Sequence, residues 1–122
     1  MERLFRLGYE PALTLGNAKS IDILAYHPQD RKQLRVSVKA VRDGGKWGVG
    51  KDDLSIEEDL IFFFLLYKSF DDLATSPDVY VMPATEVEKR KQPWLNETSA
   101  IYYSGINKSK DLEYFKNAWN LI

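Results

Sequence analysis

The sequence contains no cysteine and a single histidine, His27. Without thiols it can form neither a disulfide framework nor a thiolate zinc site. One imidazole excludes multi-histidine metal clusters and leaves His27 as the sole partner for any serine–histidine pair. His27 precedes Pro28 at the end of an apolar stretch and reads as an exposed turn histidine rather than a catalytic one. Long hydrophobic runs are also missing. The longest, Leu60 to Tyr67, has eight residues, against the ~20 needed to cross a bilayer. The opening Met1–Leu7 is charged and too short for the apolar core of a signal peptide. These absences predict a non-membrane protein in a cytoplasmic setting.

Net charge of either sign is nearly absent too: 17 basic residues face 18 acidic ones, giving −1 over 122 residues. The total hides an uneven distribution. Residues 1–30 carry three basic and four acidic groups, residues 31–51 seven and one, and residues 52–122 seven and thirteen. The middle stretch holds Arg31, Lys32, Arg35, Lys39, Arg42, Lys46 and Lys51. A patch of this kind can neutralise backbone phosphates, or it can be a solvated hairpin edge whose lysines discourage edge-to-edge pairing. The length and the 44% apolar content fit a single domain, residues 1–122, around one core.

Leu4, Phe5 and Leu7 with Arg3 and Arg6 predict a short amphipathic helix stopped at Gly8. Tyr9–Leu15 is an extended segment with Pro11 marking an edge. Ile21–Tyr26 is a strand, apolar apart from Asp22, and Leu34–Val41 is a second with period-two alternation. In the second, Arg35, Ser37, Lys39 and Val41 share a face. Asp43–Gly50 reads as a flexible glycine-rich turn, and it lacks the lysine–serine ending of a phosphate-binding loop. Leu60–Tyr67 does not alternate, which predicts a central strand covered on both faces. Asp78–Met82 is a further strand stopped by Pro83, followed by a helix from Ala84 to about Lys91, capped by Thr85. Gln92–Gly105 reads as irregular and Asp111–Leu121 as a closing helix. The order predicts a mixed α/β fold with about five strands flanked by helices.

The hairpin brings Asp22 and Lys39 toward one end of a small sheet. A carboxylate can hold a divalent cation and a nearby ammonium can orient a water; the same two groups can equally form a structural ion pair with Ser37 hydrogen-bonded across it. Trp47 and Trp94 are candidates for stacking on exposed bases or for anchoring loops over the core. The acidic run Asp52, Asp53, Glu57, Glu58 and Asp59 lacks the spacing of a calcium-binding loop and reads as a solvated helix start.

The text Ser20-Ile21-Asp22-Ile23-Leu24-Ala25-Tyr26 followed by Val36-Ser37-Val38-Lys39 resembles the core of the PD-(D/E)XK nucleases, which share the restriction-endonuclease-like fold. Gly8-Tyr9, Leu15-Gly16-Asn17, the strand Asp78–Pro83 before a helix, and Trp119-Asn120-Leu121 are similar to small bacterial members. The resemblance implies Mg²⁺-dependent hydrolysis of DNA phosphodiesters. Asp22 and the Val38 carbonyl would bind the metal, with Glu2 as the candidate helix acid, and Lys39 would position or activate the water. Ser37 departs from the pattern, standing where an acid is expected; some relatives carry glutamine there. Lys19, Arg35, Arg42, Lys46, Trp47 and Lys51 would contact nucleic acid, and a homodimer would cut two strands. The alternative reading is a catalytically inactive module of this fold that binds nucleic acid or protein.

Overall fold

The computed structural model describes residues 2–13, 22–50, 59–94, 98–105 and 108–122. Its main sheet has five strands in the order β1-β2-β3-β5-β6. Strands β1 (Glu10–Leu13), β2 (Ile23–His27) and β3 (Lys32–Val41) form an antiparallel meander. Strand β5 (Leu60–Leu66) lies parallel to β3, and β6 (Asp78–Pro83) returns antiparallel to β5. A second, three-stranded antiparallel sheet has the order β4-β8-β7, from β4 (Lys46–Val49), β7 (Gln92–Pro93) and β8 (Ser99–Tyr102). The α-helices among the described residues are short: α1 (Glu2–Arg6) and α2 (Ala84–Arg90).

Strand β5 dictates this arrangement. Its side chains alternate between two faces, and both are apolar, so both must be covered. Leu60, Phe62, Phe64 and Leu66 meet Trp47 and Val49 of β4, Ile101 of β8, and Ala84 and Val87 of α2. Ile61, Phe63 and Leu65 meet Leu4 of α1, Ile23 and Ala25 of β2, and Val36 of β3.

The glycine-rich stretch corrects the expectation of a flexible turn. Lys46–Val49 alternates, and β4 turns Trp47 and Val49 into the core. Trp47 has no exposed surface. Its ring lies 4.9 Å from Tyr103 and 5.1 Å from Phe64, and its indole N–H donates to the Leu65 carbonyl at 2.9 Å. A base cannot reach that ring, so Trp47 is a core anchor rather than a nucleic-acid contact. Gly48, on the outer face, lies under Trp94: a Cβ there would come within 2.8 Å of the Trp94 ring. The segment read as irregular likewise contributes two short strands: β8, which pairs with the unsuspected β4, and β7, which pairs with β8.

The closing helix also resolves differently. Leu112–Phe115 and Trp119–Leu121 are 3₁₀ turns, separated by Asn117 in the left-handed region at φ 54°. The three-residue spacing of Leu112 and Phe115 suits a 3₁₀ turn as well as an α-helix. What breaks the helix is the edge of β6: Lys116 bridges Tyr80, and the Asn117 N–H donates to the Val79 carbonyl at 2.8 Å. The α2 N-terminus begins at Pro83 with no side-chain cap, so Thr85 does not cap it. His27 is half-buried rather than exposed, edge-on to Tyr9 at 5.0 Å. A side chain on Gly8, whose φ is +92°, would strike it.

Two outcomes follow from this packing. Trp47→Ala should lower stability by about 3–5 kcal/mol through the cavity it leaves, read as a shifted urea midpoint at constant slope. Asp78 Oδ2 lies 2.9 Å from the Lys68 Nζ and 3.6 Å from the Lys116 Nζ. The Lys68 hydrogen bond is the main cause of its carboxyl lying below the usual aspartate value, aided by Lys116. A depressed carboxyl stabilises the fold fully above its unfolded value, about 3.9, and loses that contribution as pH falls through its folded value. Asp78→Asn should therefore weaken the fold at pH 7 by up to about 1 kcal/mol and flatten the acid limb of a stability–pH curve.

Candidate functional site

Asp22 stands immediately before β2 and is exposed. Its backbone N–H donates to the Val36 carbonyl at 2.9 Å, which carries the β2–β3 ladder one step past the strand end. Its carboxylate folds toward β3, and Oδ2 accepts the Val38 N–H at 2.7 Å. In a strand the N–H and C=O of one residue leave on the same side, so the Val38 carbonyl also points toward the Asp22 edge.

The pairing register sets the rest. Ile23 opposes Val36, so Asp22 lies opposite Ser37, and strand alternation puts Lys39 on the same face. That face is the one on which β4, β8 and α2 pack. Across to β5, Ser37 is the partner of Phe62 and Lys39 of Phe64. Lys39 is half-buried. Ser37 is fully enclosed, and its hydroxyl has no hydrogen-bond partner. Ser37, expected as a catalytic group, thus lies beneath the second layer.

Glu2, the candidate helix acid, is placed on the other side of the main sheet. Its helix sends Leu4 into the core on the opposite face of the sheet, with Phe63 and Val36. The Glu2 carboxylate is paired with Arg6 at 2.8 Å and Arg3 at 3.8 Å. Among the described residues no group of three or more His, Cys, Asp or Glu converges.

The expected nucleic-acid contacts separate. Arg35 is half-buried and holds Asp59 with two bonds, Nε to Oδ2 at 3.1 Å and Nη2 to Oδ1 at 3.0 Å. This fork consumes the geometry that would otherwise suit a phosphate. Asp59 itself was hidden in the sequence by its position at the end of an acidic run. Arg42 is exposed, with its guanidinium 4.8 Å from the Phe70 ring centre. Lys46 lies 4.9 Å over Trp94 and 6.0 Å over Tyr102. Trp94 remains 42% exposed. Lys19 and Lys51, and the acidic residues 52–58, lie outside the described residues.

Mg²⁺ is commonly held by one or two carboxylates, its remaining positions filled by water and substrate phosphate. One Asp22 oxygen and the Val38 carbonyl fit that minimum, while the unpartnered Ser37 hydroxyl adds no charge. The donor set is chemically suited to a weakly held ion.

No family model matches the chain, and no curated protein matches it. Among solved structures it is similar to that of a bacterial homing endonuclease, I-Ssp6803I, with a TM-score of 0.52 and 17% identity. The likeness spans 98% of this chain and 80% of that one. The chain shares the fold of that structure. No membrane-crossing helix occurs among the described residues.

Enclosure of Ser37 has a measurable consequence. Ser37→Ala should leave stability unchanged or raise it, because an unpartnered buried hydroxyl is removed. Ser37→Glu, the change that would restore an acid, should destabilise by more than about 3 kcal/mol through burial of a charge. A glutamate variant as stable as the parent in urea would show that this strand face opens to solvent.

Proposed function

We propose that the chain is a nuclease-like protein acting on DNA, with phosphodiester hydrolysis centred on Asp22 and Lys39 in a PD-(D/E)XK-type site. The observation that carries this reading is the placement of Asp22, the Val38 carbonyl and Lys39 at one strand end, within a fold shared with an endonuclease. Asp22 and the Val38 carbonyl would hold Mg²⁺. When bound, the ion would stabilise charge on the phosphate and lower the pKa of a coordinated water. The Val38 N–H fixes the Asp22 carboxylate, so one oxygen stays turned outward. Lys39, half-buried against Phe64, would hold the attacking water or the phosphate oxygen by its ammonium donors. Hydrolysis adds the water oxygen to phosphorus, breaks one P–O bond and leaves a proton on the departing alcohol. A homodimer would supply two such sites for two strands.

A second reading has its own observation. Ser37 brings no negative charge where a second acid would double the metal's attraction, and it is sealed from solvent. This favours a module of the same fold that binds nucleic acid or protein without cutting.

Calorimetry with Mg²⁺ and Mn²⁺, on the parent and Asp22→Ala, with and without a short duplex, separates the two. The first reading expects metal binding that is lost in Asp22→Ala, and Mg²⁺-dependent cleavage that falls at least ~10²-fold in Lys39→Ala with the fold intact. Cleavage retained by Lys39→Ala sinks the proposed site. Duplex binding without metal binding or cleavage establishes the second reading.

A further inference from the structure

Residues 52–122 are strongly acidic in total, yet five of their seven basic residues line one depression. Lys89, Arg90, Lys91, Lys108 and Lys110 surround a groove of about 510 Å³ in which, among the described residues, Asp111 is the one lining carboxylate. Two chain segments build it. The first is the last turn of α2 with Lys91. The second, residues 108–110, is fixed by Ser109, which is 4% exposed. The Ser109 N–H donates to the Tyr102 carbonyl at 2.9 Å, and its hydroxyl accepts the Tyr102 N–H at 3.1 Å. The hydroxyl also lies 3.4 Å from the Arg90 carbonyl, and Arg90 Nε donates to the Lys110 carbonyl at 3.0 Å. With Ser109 turned inward, Lys108 and Lys110 on either side are left exposed.

Cations at the C-terminus of α2 complement its dipole, which accounts for Lys89 and Arg90. It does not account for Lys108 and Lys110, brought to the same groove from a segment outside the helix. Carboxylates partly offset the charge. Glu86 pairs with Arg90 and lies 3.6 Å from Lys89; Glu88 is 3.0 Å from Lys91; Glu113 is 3.9 Å from Lys108. None of these acids lines the groove; the Glu86–Arg90 pair is part-buried, whereas an exposed pair such as Lys108–Glu113 is weak enough to exchange partners with an incoming anion. Lys108 also borders an adjoining recess with Arg42, Lys68 and the Glu113 carboxylate, and Lys68 is itself paired with Asp78. The cationic surface thus runs from the end of β3, the strand that carries Lys39, to the end of α2.

We propose that this surface holds the phosphate backbone of a nucleic acid. A linear track of cations without convergent polar groups suits a repeated charge rather than a single small anion, and contacts of this type carry no sequence preference. The choice of ligand rests on the nucleic-acid reading of the fold, whereas the surface is separate from Asp22 and Lys39.

The test is anisotropy of a short labelled DNA duplex against the full chain over a series of salt concentrations. The variant is the triple Lys91→Gln, Lys108→Gln, Lys110→Gln, with its fold checked by circular dichroism. Each lost phosphate contact should make the slope of log affinity on log salt shallower by about 1, about 3 in all. An unchanged slope overturns the proposal, as does a parent chain that binds no duplex. Competition by polyglutamate as effective as by unlabelled duplex also overturns it, in favour of an acidic protein partner. Asp22→Ala with Lys39→Ala in the same assay keeps the two readings apart. If that double variant binds with the parent slope while neither it nor the parent cleaves, the hydrolytic reading fails and the groove stands. If the parent cleaves and the triple variant binds and cleaves like it, only the groove fails.

Discussion

Enclosure of β5 on both faces is the constraint from which the rest of the molecule follows. Seven consecutive apolar residues cannot form a surface strand without presenting Phe62 and Phe64, or Ile61 and Phe63, to water. Burying each such side chain contributes about 1.5–3 kcal/mol, so two covering layers are needed rather than one. The chain assembles one from α1 with the outer strands' inward residues, and the other from β4, β8 and α2. Trp47 is the largest piece of the second layer, and its indole N–H reaches the β5 backbone itself. The second sheet is therefore the lid of the core, even though its strands are only two to four residues long.

That lid also decides the chemistry available on β3. The same layer that packs on Phe62 and Phe64 closes over Ser37, their neighbour across the strand pair, and stops short of Asp22. The result is a site with an exposed carboxylate, a half-buried ammonium and a sealed neutral hydroxyl between them. A carboxylate in place of that hydroxyl would have to be desolvated under the lid. Serine at this position is thus consistent with its surroundings: a small neutral side chain fits beneath the lid.

The main sheet was readable because its signals are local. Alternation in Leu34–Val41, the unbroken apolar run at Leu60 and the stop at Pro83 each carry their own period or breaker. Ser37 and Lys39 on one face, with Asp22 brought toward the same sheet end, followed from the hairpin alone. What was not readable depended on distant partners. Lys46–Val49 is too short and too glycine-rich to announce a strand, and becomes one only because Ser99–Tyr102 pairs with it. Asp111–Leu121 has helical spacing, but Asn117 surrenders it to the edge of β6. The five cations of the groove were masked by their own segment: a tally over 52–122 sums to acid, although folding sorts the acids and bases to different places.

The two residues that break the closing helix have a second role. An outer strand with free N–H and C=O groups is a template for another chain, and β6 is the outer strand on its side of the sheet. Lys116 and Asn117 occupy that edge with a loop instead of a strand, which leaves nothing regular for a neighbour to copy. The seal consists of one bridge and one further backbone bond, so it belongs to the least strongly held part of the fold. Whether the protein stays dispersed when warmed or concentrated is thus governed less by its large aromatic core than by how firmly its final residues stay seated.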